Sequence, residues 1–117
     1  MEFAKPRVNA SKLPSLRGSN VCLLGRVKNV ANDGNSFILT TSDDQDVRVV
    51  LQEPVNEYVA GLTEVHGQVD GQNNILCQNY MVFPQEISQN FDMKAYNEAV
   101  ELMARHKDLY VQGVQEA

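Results

Sequence analysis

The residue types best suited to chemistry in this chain are two cysteines, Cys22 and Cys77, two histidines, His66 and His106, and three clustered acids, Asp43, Asp44 and Asp46. Each thiol lies inside an apolar run, and neither stands at metal-ligand spacing from a histidine. Such thiols are expected to be small core residues with no disulfide. The acids lack the glycine and terminal glutamate of a calcium loop, so a solvated hairpin tip is expected. His66 is expected to point outward from a strand. His106 falls near a helix C-terminus, where a cation suits the helix dipole. Neither histidine has a nucleophile or base partner in sequence. The chain has no Walker loop, no Gly-x-Ser-x-Gly, no His-Glu-x-x-His and no dinucleotide fingerprint. Catalysis, a cofactor and a metal are therefore not expected. Asn9-Ala10-Ser11 is a formal glycosylation sequon, without consequence in a chain that shows no secretory signal.

Charge addresses a different chemistry, the binding of polyanions. The net charge of −5 argues against indiscriminate nucleic-acid binding. Between residues 31 and 74 there are eight acids and one base, Arg48, whereas Lys5, Arg7, Lys12 and Arg17 put four of the ten bases in the N-terminal arm. Arg26, Lys28 and Arg48 are the candidates for a weak nucleic-acid contact. Stacking bases requires aromatic platforms and tracking a backbone requires a positive groove, and neither is evident. No stretch approaches the roughly 18 apolar residues of a membrane span. An intracellular protein is expected.

The elements that must position these residues follow from periodicity. The 117 residues suit one domain. Residues 1–20 read as an arm in which Pro6, Pro14 and Gly18 limit any helix to a turn or so around Ser11 to Leu16. Alternation then sets Val21, Leu23 and Val27 on one strand face with Gly25, and Arg26 and Lys28 on the other. Asn32-Asp33-Gly34-Asn35 signals a hairpin turn. Ser36 to Thr41 and Asp46 to Gln52 are the next strands, and residues 55–61 form a connector with room for a short helical turn. Leu62 to Asp70 alternates with Val65, Gly67 and Val69 inward. Ile75 to Phe83 is a fifth strand with Ile75, Cys77, Met81 and Phe83 on one side. Five short strands with tight hairpins and a longer third connection predict a mainly β fold: the five-stranded Greek-key barrel of the OB-fold, over residues 21–83. Its usual strand-binding loops would be 31–35 and 71–74, and neither holds a Lys, Arg or aromatic residue. Residues 84–91 read as a polar linker.

A C-terminal helix is expected from Met93 to His106, within a segment 92–110, with Asp92 as N-cap and Phe91 positioned to staple the entry. Its apolar residues run from Leu102 and Ala95 through Ala99, Met103, Tyr96 and Val100 to Met93 and Ala104. That arc spans roughly 200°, against somewhat more than 100° for a helix covering one core face. Lys94, Asn97, Glu98, Glu101 and Arg105 complete the circumference. One side is thus expected to meet the barrel and another partner helices, with Met93, Tyr96, Ala99, Val100 and Met103 as the candidate partner-binding residues.

The run Phe91-Asp92-Met93-Lys94-Ala95-Tyr96-Asn97-Glu98-Ala99-Val100 resembles the C-terminal helix motif of the smallest subunit of replication protein A. Arg7-Val8-Asn9-Ala10, Val21-Cys22 with Gly25-Arg26, Phe37-Ile38-Leu39, Glu53-Pro54, and Ile75-Leu76-Cys77 with Tyr80 follow that family's pattern in order. The resemblance covers nearly the whole chain. It implies an OB-fold plus helix, and a heterotrimer with the middle and large subunits joined by a three-helix bundle. It also implies a nuclear role in DNA replication, repair and recombination, with single-stranded DNA held mainly by the other subunits. The acidic turn and the polar tail after Gly113 depart from the pattern and weaken the case for intrinsic DNA binding. The small OB subunit of the related telomere-maintenance trimer and an autonomous weak single-strand binder are the alternatives. The helix motif argues against the first, and the bare binding loops argue against the second.

Overall fold

The computed structural model describes residues 5–55 and 57–106. Strand β1 (Arg7–Val8) leads into a 3-10 helix over Ala10–Leu16, followed by β2 (Asn20–Val30), β3 (Ser36–Thr41), β4 (Asp46–Val50), β5 (Gly61–Val69) and β6 (Ile75–Val82). Two helices end the described chain, α1 (Gln85–Asn90) and α2 (Met93–Arg105). The strands run β1-β2-β3-β4-β6-β5, and pairing of β2 with β5 closes the last five into a barrel. β1 lies outside, parallel to β2, with Arg7 opposite Cys22 and Val8 opposite Leu23. This is the expected OB-fold barrel with a C-terminal helix.

Closure places two demands on β2, which pairs with β5 from Asn20 to Val27 and with β3 from Gly25 to Val30. Gly25 pairs with both neighbours, and a Cβ there would stand 2.4 Å from the carbonyl oxygen of Thr40. Gly67 on β5 has the same role, its absent Cβ falling 2.4 Å from the oxygen of Leu76. A side chain at either position would collide with backbone, so close strand approach requires glycine there. Val21, Leu23, Phe37, Leu39, Val49, Val65, Val69 and Ile75 fill the barrel, all nearly or wholly buried. Burial of each such side chain contributes on the order of 1.5–3 kcal/mol.

Two irregularities break the simple alternation. The β2–β3 register shifts between Val27 and Asn29, and the β5–β6 register shifts between His66 and Gly67, where Gln78 is the extra residue. An inserted residue reverses the facing of all that follow it. Tyr80 and Val82 therefore pack on the core, and Tyr80 meets Phe37 edge-on at 5.9 Å. Met81, expected inward, is 50% exposed.

Two other expectations change. The described connector residues 51–55 and 57–60 contain no helical turn. Residues 84–91, expected to be a linker, instead contain α1. Pro84 opens that helix at a position where a missing N–H costs nothing. Buried Ser88 ties it down, its Oγ accepting from the N–H of Leu62 at 2.9 Å.

Candidate assembly surface and the clasp beneath it

Helix α2 starts as its sequence dictates. The Asp92 carboxylate accepts from the N–H of Ala95 at 2.9 Å, and the rings of Phe91 and Tyr96 meet with centroids 5.7 Å apart, the hydrophobic staple. At the far end the His106 N–H closes the last turn on the oxygen of Leu102 at 3.1 Å.

The apolar arc divides into two sides. Val100 is 0% exposed on a helix that packs against β1 of the arm, and Tyr96, Met93 and Met103 are half-buried beside it. Ala95 and Ala99 are exposed, and Leu102 is 39% exposed. At 3.6 residues per turn these three lie within about 60° of one another, and roughly 130° around the helix from Val100. Of the five residues expected to meet partners, Val100 and Tyr96 thus serve the chain's own domain, because the outer surface of β2 is itself apolar and needs a cover. Cys22 and Leu24 on that surface are buried along with the barrel-facing Val21 and Leu23.

Beside the apolar contact lies a polar clasp. Asn9 is wholly buried, and its Nδ2 donates to Asn97 Oδ1 and Glu101 Oε2, each at 2.8 Å. Its Oδ1 accepts from the Ser11 hydroxyl at 2.9 Å. Lys12 adds an ion pair to Glu101 at 2.9 Å, and the Ser42 hydroxyl donates to Asn97 at 2.9 Å. The hydrogen bonds from Asn9 and Lys12 hold the Glu101 carboxyl below the ordinary glutamate range. Asp43 is not a free hairpin tip. Its carboxylate accepts from the N–H groups of Ala10 and Ser11, at 3.1 and 3.0 Å, and caps the 3-10 helix from across the fold. The sequon asparagine is therefore a structural pin joining arm, hairpin and helix. Asn97 and Glu101, four apart, gave the one legible signal, but polar residues at that spacing read equally as a solvated face.

A second polar group lies under α2. Cys22 stands directly opposite His66 across the β2–β5 ladder, and Glu64 shares the outer face two residues before His66. His66 Nε2 lies 2.8 Å from Glu64 Oε2 and 4.0 Å from Cys22 Sγ. The Arg7 guanidinium donates to Glu64 at 3.0 Å and to Cys22 at 3.5 Å. Burial would raise the Glu64 carboxyl, but hydrogen bonds from His66 and Arg7 and the charge of Arg7 bring it below its ordinary range. Burial pushes the Cys22 thiol up to about 11, against the opposing effect of Arg7. His66 Nδ1 is buried without a hydrogen-bond partner among the described residues, and the Tyr96 hydroxyl, also buried, adjoins Arg7. Sequence spacing gave no hint of this cluster, because a cross-strand pair is close only after the barrel closes.

The three candidate nucleic-acid contacts have different partners. Arg26 is turned to the C-terminal segment, donating to the Ser88 hydroxyl at 3.0 Å and to the oxygen of Phe91 at 3.5 Å. Lys28 pairs with Asp46 at 2.7 Å and lowers that carboxyl. Arg48 is exposed on β4, near enough to Asp33 to assist the backbone hydrogen bond from Asn35 in holding that carboxyl low.

Comparison with known proteins agrees with this architecture. In U. maydis replication protein A bound to single-stranded DNA, one chain is 23% identical with a TM-score of 0.79, over 95% of this chain and 99% of that one. The S. pombe telomere capping protein Ten1 matches at 9% identity and a TM-score of 0.67, over 87% of this chain and 99% of that one. A chain of the S. pombe Stn1–Ten1 complex matches at 10% identity and 0.67, over 90% and 96%. These likenesses establish the fold. The family model for replication factor A protein 3 matches residues 1–110, and the chain belongs to that family.

Proposed function

We propose that this protein is the architectural small subunit of a nuclear, heterotrimeric complex that coats single-stranded DNA in replication, repair and recombination. It joins the middle and large subunits through the outward side of α2 and contributes little direct DNA binding. The observation that carries this reading is the second apolar side of that helix. With Val100 buried in the domain, Ala95, Ala99 and Leu102 still face water, with half-buried Met103 at their edge. Small residues along such a face allow close approach of another helix. The engagement of Arg26 and Lys28 within the fold supports a minor role in DNA contact. The telomere-capping relatives share the fold, but the match to the family model and the helix motif favour the replication complex.

The test is co-expression with the middle and large subunits, comparing the native chain with Ala99→Glu/Leu102→Glu. Two charges in a dry helix seam should lower capture by orders of magnitude, with the barrel's circular dichroism unchanged. Undiminished capture would overturn the helix-docking reading. The isolated chain should bind single-stranded DNA no tighter than about 10⁻⁵ M at physiological salt, the range of non-specific contacts. Submicromolar binding would overturn the architectural role.

A further inference from the structure

We propose that Cys22, Glu64 and His66 form a binding site for a soft divalent cation of the zinc class, whose place is taken by the Arg7 guanidinium when no metal is bound. The ligand atoms of these three side chains lie within 4.8 Å of one another. A tetrahedral zinc with bonds of about 2.3 Å to sulfur and about 2.0 Å to nitrogen or oxygen sets S···N near 3.5 Å and N···O near 3.3 Å. The observed 4.0 and 2.8 Å each differ from these by about half an ångström, within reach of side-chain rotation. Thiolate, imidazole and carboxylate together form a donor set suited to zinc rather than calcium or magnesium.

Charge fits the exchange. Without metal, Arg7⁺ offsets Glu64⁻ and Cys22 is a neutral thiol. With metal, the dication is offset by the thiolate and the carboxylate, and the site is again neutral. The thiol proton leaves to solvent, and His66 binds through Nε2. The Arg7 side chain is 45% exposed, so it can turn into water as the ion enters. The Tyr96 hydroxyl, which adjoins Arg7, borders the same group.

The experiment is titration of the reduced full chain with cobalt(II), read by thiolate-to-cobalt charge-transfer absorption, followed by displacement with zinc. One equivalent should raise the band and zinc should remove it. Cys22→Ser should abolish it. Glu64→Gln and His66→Gln should each weaken binding by at least about tenfold. Arg7→Gln should tighten binding by about tenfold or more, because it removes a positive charge a few ångströms from the ion. No band, a band that survives in Cys22→Ser, or an Arg7→Gln variant that binds no more tightly would each overturn the site. The Arg7→Gln result decides the matter even if Cys22→Ser loses its fold by circular dichroism.

Discussion

Replacing Asn9 with alanine isolates the polar clasp, because the side chain is wholly buried and every one of its hydrogen-bonding groups is engaged. The bond to Glu101 has a charged acceptor and is worth about 1.5–3 kcal/mol, and each neutral bond about 0.5–1.5 kcal/mol. Discounts apply, since Asn97 keeps the Ser42 hydroxyl, Glu101 keeps Lys12, and the Glu101 side chain, 33% exposed, regains water. A net loss of about 2–3 kcal/mol follows, or a fall of roughly 8–15 °C in Tm for a domain of this size. The assay is chemical and thermal denaturation of the native chain, Asn9→Ala, Glu101→Gln and the double variant. Groups in contact should couple by at least about 0.5 kcal/mol in the cycle. A loss below about 0.5 kcal/mol for Asn9→Ala, the level of an ordinary surface change, would refute the clasp.

Gly67→Val should cost several kcal/mol, because its Cβ would sit 2.4 Å from the Leu76 oxygen, while Gly71→Ala, with nothing within 4 Å, should leave the thermal midpoint unchanged. Arg26→Ala should loosen α1 by removing the bonds to Ser88 and Phe91, seen as faster amide exchange in residues 85–91, with no change in single-stranded DNA affinity. Acid should weaken the docking of arm and helix. Glu64 and Glu101 are both held below the ordinary value of 4.5, so their contribution is full above that pH and is lost as pH falls through the lower folded values. Tyrosine near-ultraviolet dichroism across that range checks this, and a flat signal down to the unfolding transition contradicts it.

Most of the barrel was legible because strands half-buried on a closed sheet alternate, as Ser36–Thr41 does throughout and Gly61–Val69 does from Thr63 onward. The helix was legible from its cap, its staple and its uninterrupted helix formers. Met81 was misplaced because a bulge changes facing without leaving a mark in composition. Gln85–Asn90 escaped notice because its stability comes from one buried serine, not an apolar face. The candidate site was half legible. The width of the apolar arc announced two contacts, but which residues served which contact depended on Asn9, the arm and the hairpin, all distant in sequence.

That distance has a kinetic consequence. The bond from Asn9 to Glu101 joins residues 92 positions apart. Drawing such ends together in an unfolded chain would cost about 4 kcal/mol in loop entropy, more than the bond returns. The ends must therefore meet on a barrel already closed, with the clasp absent from the folding transition state. Substitutions at Asn9, Asn97 and Glu101 should leave the folding rate almost unchanged and appear as faster unfolding. The arm around Asn9 and the last described helix act together as a latch on the lifetime of the native state.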